Sequence, residues 1–281
     1  MSVPVPLSLP LPLPVPVSVI IPSYNRFPFL LKAIQSVQAQ TYKGPIEIIV
    51  INDASTDPLY RNYNIPNTGN TVVHMIHLLE KGIKEKEKGI KEKEEKEKEK
   101  VPVCSRAALQ YGCPGYVRNV GLQAAKGEYI AFLDDDDIWA PHKLEIQLEA
   151  LLKNPSCQMS CTDGLLGIGP YNAKRAYTRY NAGRFPFFRQ LFQQKGSDRL
   201  NKGFPAIWDK AFLQVHNCCI TSSVLLHRSL IQQAGLMKCL KNGEDYDYWL
   251  RILEHTNCLY VRDHALFYYD NGHGYGQEWS N

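Results

Sequence analysis

Two dense apolar runs, residues 17–21 (Val-Ser-Val-Ile-Ile) and 46–51 (Ile-Glu-Ile-Ile-Val-Ile), constrain this chain more than any other feature. Strands that carry apolar side chains on both faces must be covered on both sides, which is the signature of a parallel sheet. The first run stops at Pro22. After Asn25, a good helix N-cap type, apolar residues recur at Phe27, Leu30, Leu31, Ile34 and Val37, the spacing of an amphipathic helix. A third strand is expected over 72–79, a helix over 116–125 stopped by Gly127, and a strand over 129–133. Pro141 then opens a helix with Leu144, Leu148, Leu151 and Leu152 on one face, closed by Pro155. The order strand, helix, strand, repeated, predicts an α/β fold with a mostly parallel central sheet flanked by helices. Ligands of such sheets bind beyond the carboxyl ends of the strands.

Two biased segments stand apart. Residues 1–16 form a Pro-rich leader, with prolines at 4, 6, 10, 12, 14 and 16 that hold an extended rather than helical chain. It has no basic n-region and is too short to span a bilayer, and no transmembrane segment follows. Residues 80–100 are nearly all Lys and Glu, with KGIKEKE appearing twice, and read as a solvated insertion in a surface loop. The remainder divides into a first half, 17–137, and a second half, 138–281, of one domain. A formal charge of +4 over 281 residues argues against a nucleic-acid partner. The eight cysteines show no CxxC pair, and with no sequon and no signal peptide the expectation is reduced thiols in the cytoplasm.

Polar and acidic residues crowd three successive strand ends: residues 22–26 (Pro-Ser-Tyr-Asn-Arg), 52–57 (Asn-Asp-Ala-Ser-Thr-Asp) and the tetrad 134–137 (Asp-Asp-Asp-Asp). Carboxylates ~4 Å apart repel by about 4 kcal/mol at an effective dielectric of about 20. Four of them behind a buried strand call for a positive counterpart, and a hard divalent cation is the natural one. Alternation along an extended chain places Asp134 and Asp136 on one face. An acidic helix N-terminus before Ile138 is the blander reading. No G-x-G-x-x-G follows a strand and no Walker A sequence is present, so a bound diphosphate depends on the metal and on cations such as Arg118.

A second acidic cluster, residues 243–251 (Gly-Glu-Asp-Tyr-Asp-Tyr-Trp-Leu-Arg), places Glu244 and Asp245 at a helix start, with Leu250, Leu253 and Tyr246 as its apolar stripe. There a carboxylate either accepts a proton from a hydroxyl nucleophile or caps the helix. His216, Cys218 and Cys219 lack a second ligand pair for zinc and read as part of a buried strand. The aromatics from Tyr171 to Phe188, with Trp208, either stack on sugars or pack a core of their own.

Taken in order, these segments resemble family 2 glycosyltransferases, which have the GT-A fold. The matching pieces are 17–25, 52–57, 118–122, 125–137, 221–225 and 244–251, spread over about residues 17–275. The resemblance implies transfer of a sugar from a nucleotide diphosphate, a UDP-sugar by family frequency, to an acceptor hydroxyl with inversion, assisted by Mn²⁺ or Mg²⁺. Pro22, Tyr24, Asp53, Arg118, Asp134 and Asp135 would serve the nucleotide-sugar, with Tyr24 and Asp53 on uracil and ribose. Asp134 and Asp136 look like the ends of the DxD motif, with Asp136 the direct metal ligand and Asp134 nearer the ribose. Asp245 matches the general base and Glu244 the acid that orients acceptor or base. His273 matches a C-terminal histidine that approaches metal or diphosphate in some members. The family's Tyr-Arg-x-His is here Tyr269-Asp270-Asn271-Gly272-His273, without the arginine, and an ordinary loop histidine is the alternative.

The acceptor implied is a glycan, protein or lipid, with peripheral membrane contact compatible with the sequence. A nucleotidyltransferase needs a Gly-rich loop after the first strand, where this chain has Ser23-Tyr24-Asn25-Arg26. A catalytically degenerate binding module is the non-enzymatic reading, and the intact acids at both clusters argue against it.

Overall fold

The computed structural model describes residues 14–78 and 113–273, without the side chain of His273. Most of the Pro-rich leader, the Lys/Glu run, Leu79 and Gly274 onward lie outside the described residues. The first four strands, β1 (Val17–Ser23), β2 (Ile46–Asn52), β3 (Thr71–His77) and β4 (Tyr129–Phe132), pair in parallel in the order β3-β2-β1-β4. The sheet continues through β9 (Leu225–His227), antiparallel to both neighbours, to β6 (Cys157–Gly167). Next come β10 (Asn257–Asp270), parallel to β6, and β5 (Ile138–Trp139). Short strands β7 (Thr178–Arg179) and β8 (Ile207–Trp208) extend β6 and β10. Among the described residues the result is one mixed sheet of ten strands whose long ladders are parallel.

Pleating sorts the apolar runs onto two faces. Val17, Val19, Ile21, Ile48 and Val50 face one layer with α1 (Phe27–Gln38) and α4 (Lys143–Leu152). Ile20, Ile49, Ile51, Ile130 and Phe132 face the other, which holds α3 (Pro114–Ala124) and α9 (Glu244–Ile252). The first strand is buried along almost its whole length, as a doubly covered strand must be. Gly121 lets α3 settle on the sheet: a Cβ there would stand 2.6 Å from Ile20 Cγ2 and 2.8 Å from Ile51 Cδ1.

Several expectations need correcting. In α4 the buried face is Leu144, Leu148 and Leu151 with Lys143 and Gln147, whereas Leu152 points outward. The buried face of α9 is Tyr248, Trp249 and Ile252, so its two aromatics anchor the helix more than Leu250 or Tyr246. Cys218 and Cys219 are buried but belong to an irregular stretch after α7 (Lys210–Val215), not to a strand. Cys113 and Cys239 form a disulfide, against the expectation of reduced thiols throughout. A pairing across 126 residues leaves no local trace in sequence. The aromatics do pack a core of their own: Trp208 stacks on Tyr260 at 4.4 Å and on Phe212 at 5.0 Å, with Phe188 and Phe192 buried beside them.

Candidate active site

Because β1, β2 and β4 run side by side, their carboxyl ends bring the three acidic and polar loops to one rim. The Asp53 amide donates to the Ser23 carbonyl (2.9 Å), and the Leu133 amide to that of Ile20 (3.0 Å). Asn25 does not cap α1. It adopts a left-handed φ of 50°, and its Oδ1 accepts from the amides of Thr56 (2.9 Å) and Asp57 (3.3 Å). Asn25 thus fastens the loop after β1 to the loop after β2, and α1 begins at the next residue but one without a side-chain cap. Pro22 and Tyr24 are half-buried and Asp53 is buried on this rim.

The acid tetrad is a turn rather than an extended stretch, since the Asp137 amide donates to the Asp134 carbonyl (3.1 Å). Simple alternation therefore does not describe it, and the carboxylates divide between two guanidiniums. Asp134 pairs with Arg118 Nη2 at 2.7 Å, while Arg26 Nη1 lies 2.8 Å from Asp136 and 3.5 Å from Asp135. Asp135 also accepts from the Ser23 hydroxyl (2.6 Å). Asp137 is buried, one oxygen accepting from the Asp270 amide (3.1 Å) and the other, Oδ2, without a hydrogen-bond partner.

Positive charge does not suffice here. Burial, then repulsion from Asp136, lifts Asp135 to about 7; burial, then Asp134, lifts Asp136 to about 6; and burial raises Asp137 well above the usual range. Raised carboxyl pKa values and an orphaned buried oxygen are what a divalent cation would relieve, so the donor set fits the metal that the resemblance implies. Among the described residues no three His, Cys, Asp or Glu side chains converge on a metal position. A cation at the turn would take one or two of these carboxylates. His273 sits in a 3₁₀ turn, Asn271–His273, after β10, and its side chain lies outside the described residues.

The second cluster meets the first through one side chain. Arg118, 1 % exposed, gives Nη2 to Asp134 and Nη1 to Glu244 (2.8 Å). A surface salt bridge is thereby excluded for it, and both terminal nitrogens are engaged by protein carboxylates. Burial raises the Glu244 carboxyl, and Arg118 opposes that rise. Helix α9 follows Gly243, whose φ of 75° is left-handed, and no side chain caps it. Asp245 is half-buried, its Oδ2 accepting from the Thr221 hydroxyl (3.1 Å).

Arg26, Thr221 and Ser222 carry interactions that sequence reasoning did not assign. The Asp134 amide donates to Ser222 Oγ (3.0 Å), so the 3₁₀ turn Thr221–Ser223 touches both acidic clusters. Arg26 left a signal, being the only cation within the three strand-end loops. The serine-threonine turn left none beyond its place in the ordered resemblance.

Comparison with known proteins bears on the family and the fold. The model of "Glycosyl transferase family 2" matches residues 18–63 and 98–231. An uncharacterized glycosyltransferase of Rickettsia felis is 35% identical over 239 residues, covering 84% of this chain and 30% of the relative. An Escherichia coli protein, the UDP-Glc:alpha-D-GlcNAc-diphosphoundecaprenol beta-1,3-glucosyltransferase WfgD, is 33% identical over 137 residues, 49% of this chain and 41% of its own. The crystal structure of S. aureus TarS 1-349 in complex with UDP-GlcNAc matches with a TM-score of 0.52 and 17% identity, over 92% of this chain and 59% of the other. That likeness places the fold among GT-A glycosyltransferases. The chain spans between about a third and three fifths of the length of several relatives it matches.

Proposed function

As the chain belongs to glycosyl transferase family 2, we propose that it transfers a sugar, with inversion, from a UDP-sugar to an acceptor hydroxyl, assisted by Mn²⁺ or Mg²⁺. The observation that carries this reading is the meeting of two acidic clusters on one guanidinium at the carboxyl rim of the sheet. UDP is the preferred nucleotide because the E. coli relative and the TarS complex are both described with UDP-sugars.

In this reading the rim formed by Pro22, Tyr24 and Asp53 receives the nucleoside, and Asp134 and Asp135 border the sugar and ribose. Asp136 would hold the cation, with His273 as a second candidate, and the cation would act as a Lewis acid toward the leaving diphosphate. Asp245 accepts the acceptor's proton as its oxygen attacks the anomeric carbon, and the Thr221 hydroxyl fixes one carboxylate oxygen for that task. The bond from anomeric carbon to diphosphate breaks on the opposite face, and the electron pair leaves with the nucleotide. Glu244 pairs with Arg118 and borders the acceptor. Arg118 is a positioning residue, holding the Asp134 and Glu244 carboxylates at a fixed separation.

The test is a thermal-shift titration of the full chain with UDP, GDP and dTDP, each with and without Mn²⁺. A ligand at about 100 times its Kd adds about 2.7 kcal/mol to the native state. A shift with UDP that grows with Mn²⁺ is expected. Absence of any nucleotide response would sink the reading in favour of a degenerate binding module.

A further inference from the structure

The 3₁₀ turn Thr221–Ser223 is held through two sets of atoms. Its hydroxyls meet the acidic clusters: Thr221 donates to Asp245 Oδ2 (3.1 Å), and Ser222 Oγ accepts from the Asp134 amide (3.0 Å). Within the turn the Val224 amide donates to the Thr221 carbonyl (3.1 Å). The next two carbonyls are taken by side chains from β5 and α4. The Trp139 indole Nε1 donates to the Ser222 carbonyl (2.9 Å), and Gln147 Nε2 to that of Ser223 (3.0 Å).

Both donors touch one buried cation. Lys143 Nζ donates to Gln147 Oε1 (2.6 Å) and stands 4.1 Å from the centre of the Trp139 ring. The titratable groups that act on it are the Cys161 and Cys219 thiols, not a carboxylate. An ammonium buried against neutral partners costs free energy that an apolar side chain of similar length would not. Packing alone does not call for it.

Orientation of the donors does. A primary amide has nearly the same shape either way round, and only its hydrogen bonds decide where oxygen and nitrogen lie. An ammonium, which can only donate, fixes the Gln147 oxygen at its own end and turns the NH₂ group toward Ser160 Oγ (3.0 Å) and the Ser223 carbonyl. The same charge is attracted to the face of the Trp139 ring, which holds the plane from whose edge Nε1 reaches Ser222.

We propose that Lys143, Gln147 and Trp139 are positioning residues for the transfer step: acting through the Ser222 and Ser223 carbonyls, they set where Thr221 meets Asp245 and where Ser222 meets the Asp134 amide. The catalytic meaning of this brace rests on the transferase reading, and the brace itself on the hydrogen bonds. A misplacement of about 1 Å at a reacting group costs about 10²-fold in rate, so side chains that touch no substrate still govern turnover.

Single variants of the full chain test it. Trp139→Phe keeps a ring beside Lys143 and removes the indole donor. Gln147→Glu keeps an oxygen toward Lys143 and removes the donor to Ser223. Leu151→Ala removes packing from the same helix and layer without removing a tie to the turn. The readouts are amide hydrogen exchange at Asp134 and Mn²⁺-dependent release of UDP from UDP-glucose, with water in place of the acceptor. Trp139→Phe and Gln147→Glu should each speed that exchange about tenfold or more. Each should lower kcat by about tenfold to 10²-fold, with KM for UDP-glucose within about twofold. Lys143→Met leaves both donors present but unoriented, and should give the same changes at smaller size. Leu151→Ala should lower the unfolding midpoint and leave both readouts alone. Unchanged exchange in the two donor variants, exchange that moves without kcat, or equal effects from Leu151→Ala would each overturn the brace. The UDP and Mn²⁺ thermal shift on the same samples decides the transferase reading separately. Where the native protein releases no UDP, the exchange rates decide the brace alone.

Discussion

The two ends of the sheet are built on different principles. From β3 to β4 the strands are parallel, joined by crossovers, and packed by helix stripes that repeat at helical spacing. From β9 to β5 parallel and antiparallel pairs mix, β10 pairs with β6 through register shifts, and short elements are held by aromatic contacts such as Trp208 on Tyr260. The first region fixes three loops at one rim by register alone. The second delivers a carboxylate pair on α9 by long-range packing. In the proposed reading the first region presents the donor and the second the acceptor.

Substitution of the acids would break or sharpen that comparison most. Asp136→Asn should abolish the metal-dependent UDP shift and transfer together. Asp245→Asn should lower turnover by about 10²–10⁴-fold and leave the shift intact, as loss of a general base does. Initial rates and thermal shifts on the same preparations decide this, and equal loss of the shift in both variants would erase the distinction between the two sides.

Next in size is the residue that spans the two regions. Arg118→Met leaves Asp134 and Glu244 buried without their shared cation, and should cost about 3–5 kcal/mol in denaturant unfolding. Adding Glu244→Gln should cost much less than its effect in the native background, because a lone buried carboxylate is removed with it. Strict additivity would mean that the bridge contributes nothing.

A comparable test of packing contrasts the two ends of the sheet within one core layer. Trp208→Ala should cost about 3–5 kcal/mol, against about 0.5–1.5 kcal/mol for Ile51→Val beneath α3, both followed by urea midpoint.

The last effect is a slope in pH. Lys143 is fully buried, its Nζ donating to Gln147 Oε1 (2.6 Å) above the Trp139 ring (4.1 Å), and burial lowers its pKa to about 7. Between pH 7 and about 10 the unfolded chain binds this proton and the folded chain does not, so stability rises with pH across that window. Below pH 7 both states hold the proton and the penalty of burying the ammonium is fully present. From pH 7 to 9 the native protein should gain up to about 1.4 kcal/mol per pH unit relative to Lys143→Met, read from paired urea titrations. Parallel curves for the two proteins would show that Lys143 does not titrate there.

The same division explains what was legible in the sequence. Strands β1, β2 and β4 announced themselves because burial on both faces leaves a nearly unbroken apolar run, and the acid loops followed from where those runs stop. Asn25 misled because a residue that favours helix caps also tolerates left-handed backbone, and here it used that freedom to reach Thr56. The pairing of β6 with β10 and the hold of Thr221 on Asp245 join residues far apart in the chain, and nothing local encodes them. The acid tetrad showed that charge was concentrated, but not that two arginines, one from the loop after β1 and one from α3, would share it.

One consequence of Arg118 concerns how such a protein can change over generations. Asp134 and Glu244 lean on a single guanidinium, so, if the proposed roles hold, a chain that drifts at Glu244 toward a new acceptor also disturbs the charge that faces Asp134. Single-step routes to a new acceptor are therefore narrow at α9. The exposed cations Lys174, Arg175, Arg189 and Lys202, which have no ion-pair partner among the described residues, leave more room for gradual change.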